Sequence, residues 1–183
     1  MKQVILSLAV LLYASAAFAE TAFQFTIPAV RVPDDPAVSG VRLSLFHGNT
    51  PKVSGFELGI LSLSESATFS GLSLVAGVNK VTGEMDGGVA ISLINYHTGR
   101  DAGVNMAFIN KLNDTQHAFN LGFLNIADGT TQVDLGGLNM SNRSTAQIGF
   151  VNVTEEIKSF QFGFLNIAKN GFLPVFPIFN FAK

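Results

Sequence analysis

The sequence predicts an all-β protein, a β-solenoid of about ten short coils with N- and C-terminal caps. Three observations carry that expectation: a seven-residue phrase that returns every 13 to 17 residues, period-two alternation within each phrase, and turn-forming residues between phrases. The phrase runs apolar, any, apolar, small, apolar, apolar, Asn. Clear copies are Phe119-Asn-Leu-Gly-Phe-Leu-Asn125, Ala146-Gln-Ile-Gly-Phe-Val-Asn152 and Phe160-Gln-Phe-Gly-Phe-Leu-Asn166.

Anchored on its last residue, the unit occurs ten times, at His47, Ser62, Asn79, Asn95, Asn110, Asn125, Asn139, Asn152, Asn166 and Asn180. Four residues before the anchor stand Leu43, Leu58, Val75, Ile91, Met106, Leu121, Leu135, Ile148, Phe162 and Phe176, apolar in every copy and therefore expected to form the core. Three before it the residue is Gly, Ala, Ser or Pro, as if something approaches the backbone there or a face stays flat. In a solenoid equivalent residues stack about 4.8 Å apart, so the anchors Asn79, Asn95, Asn110, Asn125, Asn139, Asn152, Asn166 and Asn180 are expected to form a structural ladder of amides. On this reading Asn125 is worth more to stability than Asn120, which is assigned to an exposed stripe with Asn105, Asp134, Gln147 and Gln161.

One column resists a simple strand. The residue before the anchor is apolar in all ten copies, and its predecessor is apolar in eight. Neighbours in a strand point to opposite faces, so the chain either bends there and keeps both residues inside, or shows a flat apolar stripe to a partner or membrane.

Taken in order, residues 1–19 have the build of a secretory signal peptide: Lys2, an apolar run and a small-residue site ending at Ala19. Residues 20–40 hold Pro28, Pro33 and Pro36 and are expected to be an N-terminal cap with an edge strand near Phe23 to Ile27. Residues 41–171 form the repeat array. Residues 172–183 keep an anchor but carry Pro174 and Pro177, as expected of a C-terminal capping unit that protects a sheet edge.

Without Lys2 the chain has ten Lys and Arg against thirteen Asp and Glu, a net charge of −3 with no basic block, so nucleic acid is not an expected partner. There is no cysteine, which removes disulfides, thiolate metal sites and a Cys nucleophile. His47, His97 and His117 fall in different columns, and Asp86, Asp101, Asp114 and Asp128 lie at turns without a calcium-roll pattern. No G-x-S-x-G elbow or phosphate loop can be written. The chain is thus not expected to be an enzyme, and no catalytic, cofactor-binding or metal-binding residue is assigned.

The G-φ-φ-N unit (φ apolar), as in Gly122-Phe-Leu-Asn125, Gly149-Phe-Val-Asn152 and Gly163-Phe-Leu-Asn166, resembles that of bacterial exported surface-repeat proteins over residues 41–180. The resemblance implies a cell-envelope location and supplies no catalytic residue. The expected function is therefore a structural or binding role in the periplasm or at the outer-membrane surface, with an unknown envelope component or a second copy as partner. The mature sequence has no expected transmembrane helix, and membrane association stays open. Two alternatives remain: a small antiparallel outer-membrane β-barrel, against which the absence of Trp counts, and an exported carbohydrate-active β-helix.

Overall fold

The computed structural model describes residues 20–183. The expected signal peptide lies outside the described residues. Five β elements follow one another: β1 (Thr21–Ile27), β2 (Val30–Val32), β3 (Ala37–His97), β4 (Arg100–Ala168) and β5 (Val175–Phe181). β3 holds 61 residues and β4 holds 69. An extended strand of 61 residues would reach about 200 Å. Both elements instead wind, and β3 passes into β4 with parallel pairing of residues one coil apart, Ile91 with Met106 and Asn95 with Asn110.

The architecture is a β-solenoid. Parallel pairing of residues 15 positions apart is incompatible with a meander, so the antiparallel barrel is excluded. The regular, Asn-laddered part comprises about six turns, fewer than the ten counted from the anchors. It runs from the coil of Asn95 to that of Asn166. Earlier coils wind on with a different interior, and the last unit does not continue the winding.

The ends explain that difference. β1 pairs in parallel with the start of β3, Phe25 against Leu43, and β2 folds back antiparallel along β1. At the other end β5 runs antiparallel to the last coil, with Gln161 opposite Asn180 and Phe162 opposite Phe179. Pro174 and Pro177 have no amide hydrogen to offer a further coil. The C-terminal unit is a cap, and Asn180 belongs to that cap rather than to the Asn ladder.

The expected core column is overturned. Of the ten residues four before the anchors only Val75 is buried; Ile91, Leu121, Ile148 and Phe162 are exposed. The alternation was legible, but its sense is reversed. From the coil of Asn95 to that of Asn166, residues five and three before the anchor point inward and residues four and two before it point out, whereas in the coil of Asn79 the sense is opposite, with Val75 inside and Ala76 outside. The chain then bends, so that the anchor again points in. The bend was one of two expected outcomes, yet in the regular turns it does not enclose the apolar pair: the residue just before the anchor is half-buried and its predecessor, where it is large, is exposed. In the first coils it is sharp enough to place Phe46 and Leu61 at φ of 63° and 46°, the left-handed region that costs a non-glycine residue about 1 kcal/mol or more.

Space decides this inversion. A coil of 13 to 17 residues encloses a narrow interior, and a Cβ added at Gly122 would lie 2.8 Å from Asn110 Nδ2 and 3.0 Å from Asn125 Oδ1. The small column is therefore what the amides approach. Leu or Phe from two columns would overfill the same space. An apolar interior survives in the first half, where Val53, Phe69, Val81, Met85 and Ala90 pack together.

Candidate functional site

Two polar ladders hold the regular turns together and set their outer face. In the first, Asn95 Nδ2 donates to Asn110 Oδ1 at 2.9 Å, and the same bond repeats at 2.8 Å through Asn125, Asn139, Asn152 and Asn166. Each amide from Asn110 onward also donates to a carbonyl on the next segment of chain: Leu121, Leu135, Ile148, Phe162 and Phe176, at 2.9 to 3.2 Å. Six of the eight expected ladder residues are joined in this way. Asn79 instead donates to Ser73 Oγ at 3.0 Å, and Asn180 to the Leu173 carbonyl at 3.1 Å. Those two assignments to the ladder are corrected.

The second ladder is the stripe expected to be exposed. Asn105, Asn120, Asp134, Gln147 and Gln161 are all buried. Asn105 donates to Asn120 Oδ1 at 3.2 Å, Asn120 and Gln147 donate to the two oxygens of Asp134 at 2.8 and 3.2 Å, and Gln161 donates to Gln147 Oε1 at 2.8 Å. Asn120 is thus no surface control for Asn125. The signal was present: these residues are one parity with the small column, and that shared parity marks the inside.

Asp134 is the one acid in this row. Burial pushes its carboxyl above the ordinary aspartate range, although donors from Thr131, Asn120, Gln147 and Ser144 oppose the shift. An acid whose folded pKa is raised contributes stability that is fully present below its unfolded pKa and is lost as pH rises through the folded value. The melting temperature should accordingly fall as pH is raised from about 4 through that raised value, and Asp134→Asn should flatten this limb. Thermal melts at a series of pH values check it; an unchanged slope in the variant would contradict the assignment.

The histidines do not converge. His97 is buried with its Nδ1 on the Asp101 carboxylate, which also accepts from the Gly103 amide at 2.9 Å. His47 stands 3.7 Å from Glu65, and His117 meets the Gln132 amide at 2.7 Å. Among the described residues no group of three His, Asp or Glu could hold a metal ion. Asp86, Asp114 and Asp128 are exposed, whereas Asp101 is buried against His97. An open cleft of about 550 Å³ lies against Ile27, Arg31, Asp34, His47 and Asn49, and its carboxylate, Asp34, is tied to Arg31 at 2.6 Å.

The inversion gives the outer wall its character. From the coil of Asn95 to that of Asn166, the outward pairs are Ile91 with Leu93, Met106 with Phe108, Leu121 with Phe123, Leu135 with Gly137, Ile148 with Phe150, and Phe162 with Phe164. No charged residue occurs in these columns. Phe108, Phe123, Phe150 and Phe164 are 61 to 69% exposed. Their rings stack from coil to coil, Phe108 on Phe123 and Phe150 on Phe164, with centroids 5.1 Å apart in both pairs. Ion pairs between coils lie outside the two columns, such as Arg100 with Glu84 and Lys169 with Glu155. Exposed pairs of this kind are screened by solvent and add little to stability. An exposed apolar strip of this length is unusual on a protein surface.

No protein-family model, curated protein or solved structure matches the chain. Among the described residues no helix is long and apolar enough to cross a membrane.

Proposed function

We propose that the chain is an exported, non-enzymatic repeat protein of the bacterial cell envelope that acts as a structural or binding element through its apolar wall. The observation that carries this reading is the uncharged strip of stacked, exposed Phe rings. Such rings contribute little to the fold from where they stand, since the amide ladders and backbone pairing hold the coils. They are suited to contact. Export is supported by the charge, apolar run and small-residue site of residues 1–19. The periplasm or the outer-membrane surface is the proposed location.

Cell fractionation combined with surface proteolysis tests the location, and a Phe123→Ser, Phe150→Ser variant tests the wall. The parent chain is expected in the envelope fraction with residues 1–19 removed. The variant should keep its fold, with stability changed by less than about 1.5 kcal/mol, while losing retention on the envelope. An intact parent chain in the cytosol would overturn the proposal. So would a variant that is retained as well as the parent.

A further inference from the structure

We propose that the apolar wall lies on a phospholipid bilayer, with the solenoid axis parallel to the membrane plane and the Phe column inserted among the outermost acyl-chain carbons. This rests on the reading of the wall as the functional surface and names its occupant, lipid hydrocarbon beneath neutral headgroups.

The shape of the wall carries the inference. In the regular coils the anchor and the residue three before it both face in. Strict alternation sets inward residues an even number apart, so the chain turns a corner between these two. The column two before the anchor stands on the crest of that corner. Its Leu93, Phe108, Phe123, Phe150 and Phe164 are 61 to 69% exposed, whereas Ile91, Leu121, Ile148 and Phe162, four before the anchor, are 38 to 51% exposed. Past the crest Tyr96, Ile126, Met140, Val153 and Ile167 follow their anchors, so the apolar surface descends on both sides. Lys111 is the one charged residue of that second slope, and it is tied to Asp128 at 3.4 Å. Small-molecule ligands bind in concave sites. A convex ridge instead enters a soft surface that closes around it.

The chemistry of the ridge narrows the occupant. No side chain four or two before the anchors of the regular coils carries a nitrogen or oxygen atom, and the backbone there lies within strands β3 and β4. A protein partner ordinarily makes about one hydrogen bond per 100 to 200 Å² of interface, and the exposed residues of the two columns present on the order of 900 Å². Hydrocarbon asks for none. The stacked Phe rings are within 5° of parallel, so their flat faces meet one another and their edges point out. The faces that would stack on a sugar are thus taken, while ring edges fit between acyl chains. A fluid occupant also fills the space at Gly137, where the crest lacks a side chain.

The surface outlasts the repeat. β5 reverses the chain and ends the Asn ladder, yet it sets Phe179 opposite Phe162 and leaves it 44% exposed. A face that was only a by-product of repetition would stop with the last coil. Charge selects the headgroup. Surfaces drawn to anionic lipid carry clustered Lys and Arg, whereas here Lys169 is paired with Glu155 at 2.5 Å and the chain without Lys2 has a net charge of −3.

The absence of Trp lets one introduced indole report depth. The protein as processed by its own host is expected to float with phosphatidylcholine vesicles equally at about 0.05 and about 0.5 M salt, and added phosphatidylglycerol should not help. Phe123→Trp should emit at shorter wavelength with vesicles and be quenched by lipid brominated near the top of its chains. Gln116→Trp, exposed outside the wall, should do neither. Phe123→Ser with Phe150→Ser should lower the vesicle partition coefficient about a hundredfold, with unchanged circular dichroism. Equal responses of the two Trp variants, or flotation that needs phosphatidylglycerol or vanishes at the higher salt, would overturn the apolar seating. A blue shift of Phe123→Trp that grows with protein concentration in the absence of vesicles would assign the wall to a second copy and overturn the lipid. A parent chain that does not float, while the double Ser variant still loses its retention on the envelope, would overturn the lipid and leave the wall as the functional surface. No flotation together with undiminished retention would overturn both.

Discussion

Asn125→Leu is expected to destabilise the protein by about 3 to 5 kcal/mol and lower its melting temperature by roughly 10 °C. The Asn125 amide donates to Asn139 Oδ1 at 2.8 Å and to the Leu135 carbonyl at 2.9 Å, and its own oxygen accepts from Asn110 at 2.8 Å. A leucine leaves two buried acceptors without donors, each costing about 1 to 3 kcal/mol. Its methyl groups also meet the backbone of Gly122 and Gly136, where the amide already leaves no room for a Cβ. Asn142 is exposed and serves as the control; Asn142→Leu should stay within about 0.5 kcal/mol of the parent. Urea titrations of the two variants decide the matter. Coincident midpoints would show that the ladder does not hold the coils.

Arg42→Ala should cost a similar amount, about 3 to 5 kcal/mol, at the opposite end of the array. Arg42 and Glu57 are fully buried and meet at 2.5 Å. Arg42 Nη1 also donates to the Glu65 carbonyl at 2.9 Å, and Ser73 donates to Glu57 Oε2 at 3.1 Å. Removing the guanidinium strands a carboxylate in a site where two serine hydroxyls, Ser64 and Ser73, are its remaining donors among the described residues. Replacing both partners by apolar residues, Arg42→Met with Glu57→Leu, should recover most of the loss, because the desolvation of two charges disappears along with their attraction. Equal losses in the single and double variants would show that packing, not the stranded charge, sets the cost.

The period, the strand alternation and the ladder from Asn95 to Asn166 were legible because backbone pairing and stacking act on every coil alike. What was misread was which parity faces in. Leu121 and Phe123 share one parity, Asn120 and Gly122 the other, and hydrophobicity alone assigns the first pair to the core. The size of Gly122 argued the reverse, since only a narrow interior demands a residue without a side chain. A coil this short has more use for hydrogen bonds within than for Leu and Phe. The ends were legible as caps from Pro174 and Pro177, but the reversal that takes Asn180 out of the ladder depends on tertiary pairing with Phe160 and Gln161, which no local pattern shows. The stripe expected of an unbent strand joined the small column to the column just before the anchor, and the wall observed is a different one, made by the residues four and two before the anchor. The structure has both the bend and the wall.

The ladder also bears on how such a chain can change length. Each Asn donates its amide hydrogen to its successor and accepts one from its predecessor, so one rung is interchangeable with the next. Duplication or loss of one whole unit within residues 95–166 leaves every remaining Asn of the first ladder with a partner of the same kind. Gene segments coding for single coils are therefore modular, and coil number can drift between descendants without passing through an unpaired intermediate. The two terminal units do not share this freedom, because the residues that close them meet their neighbours in the opposite sense.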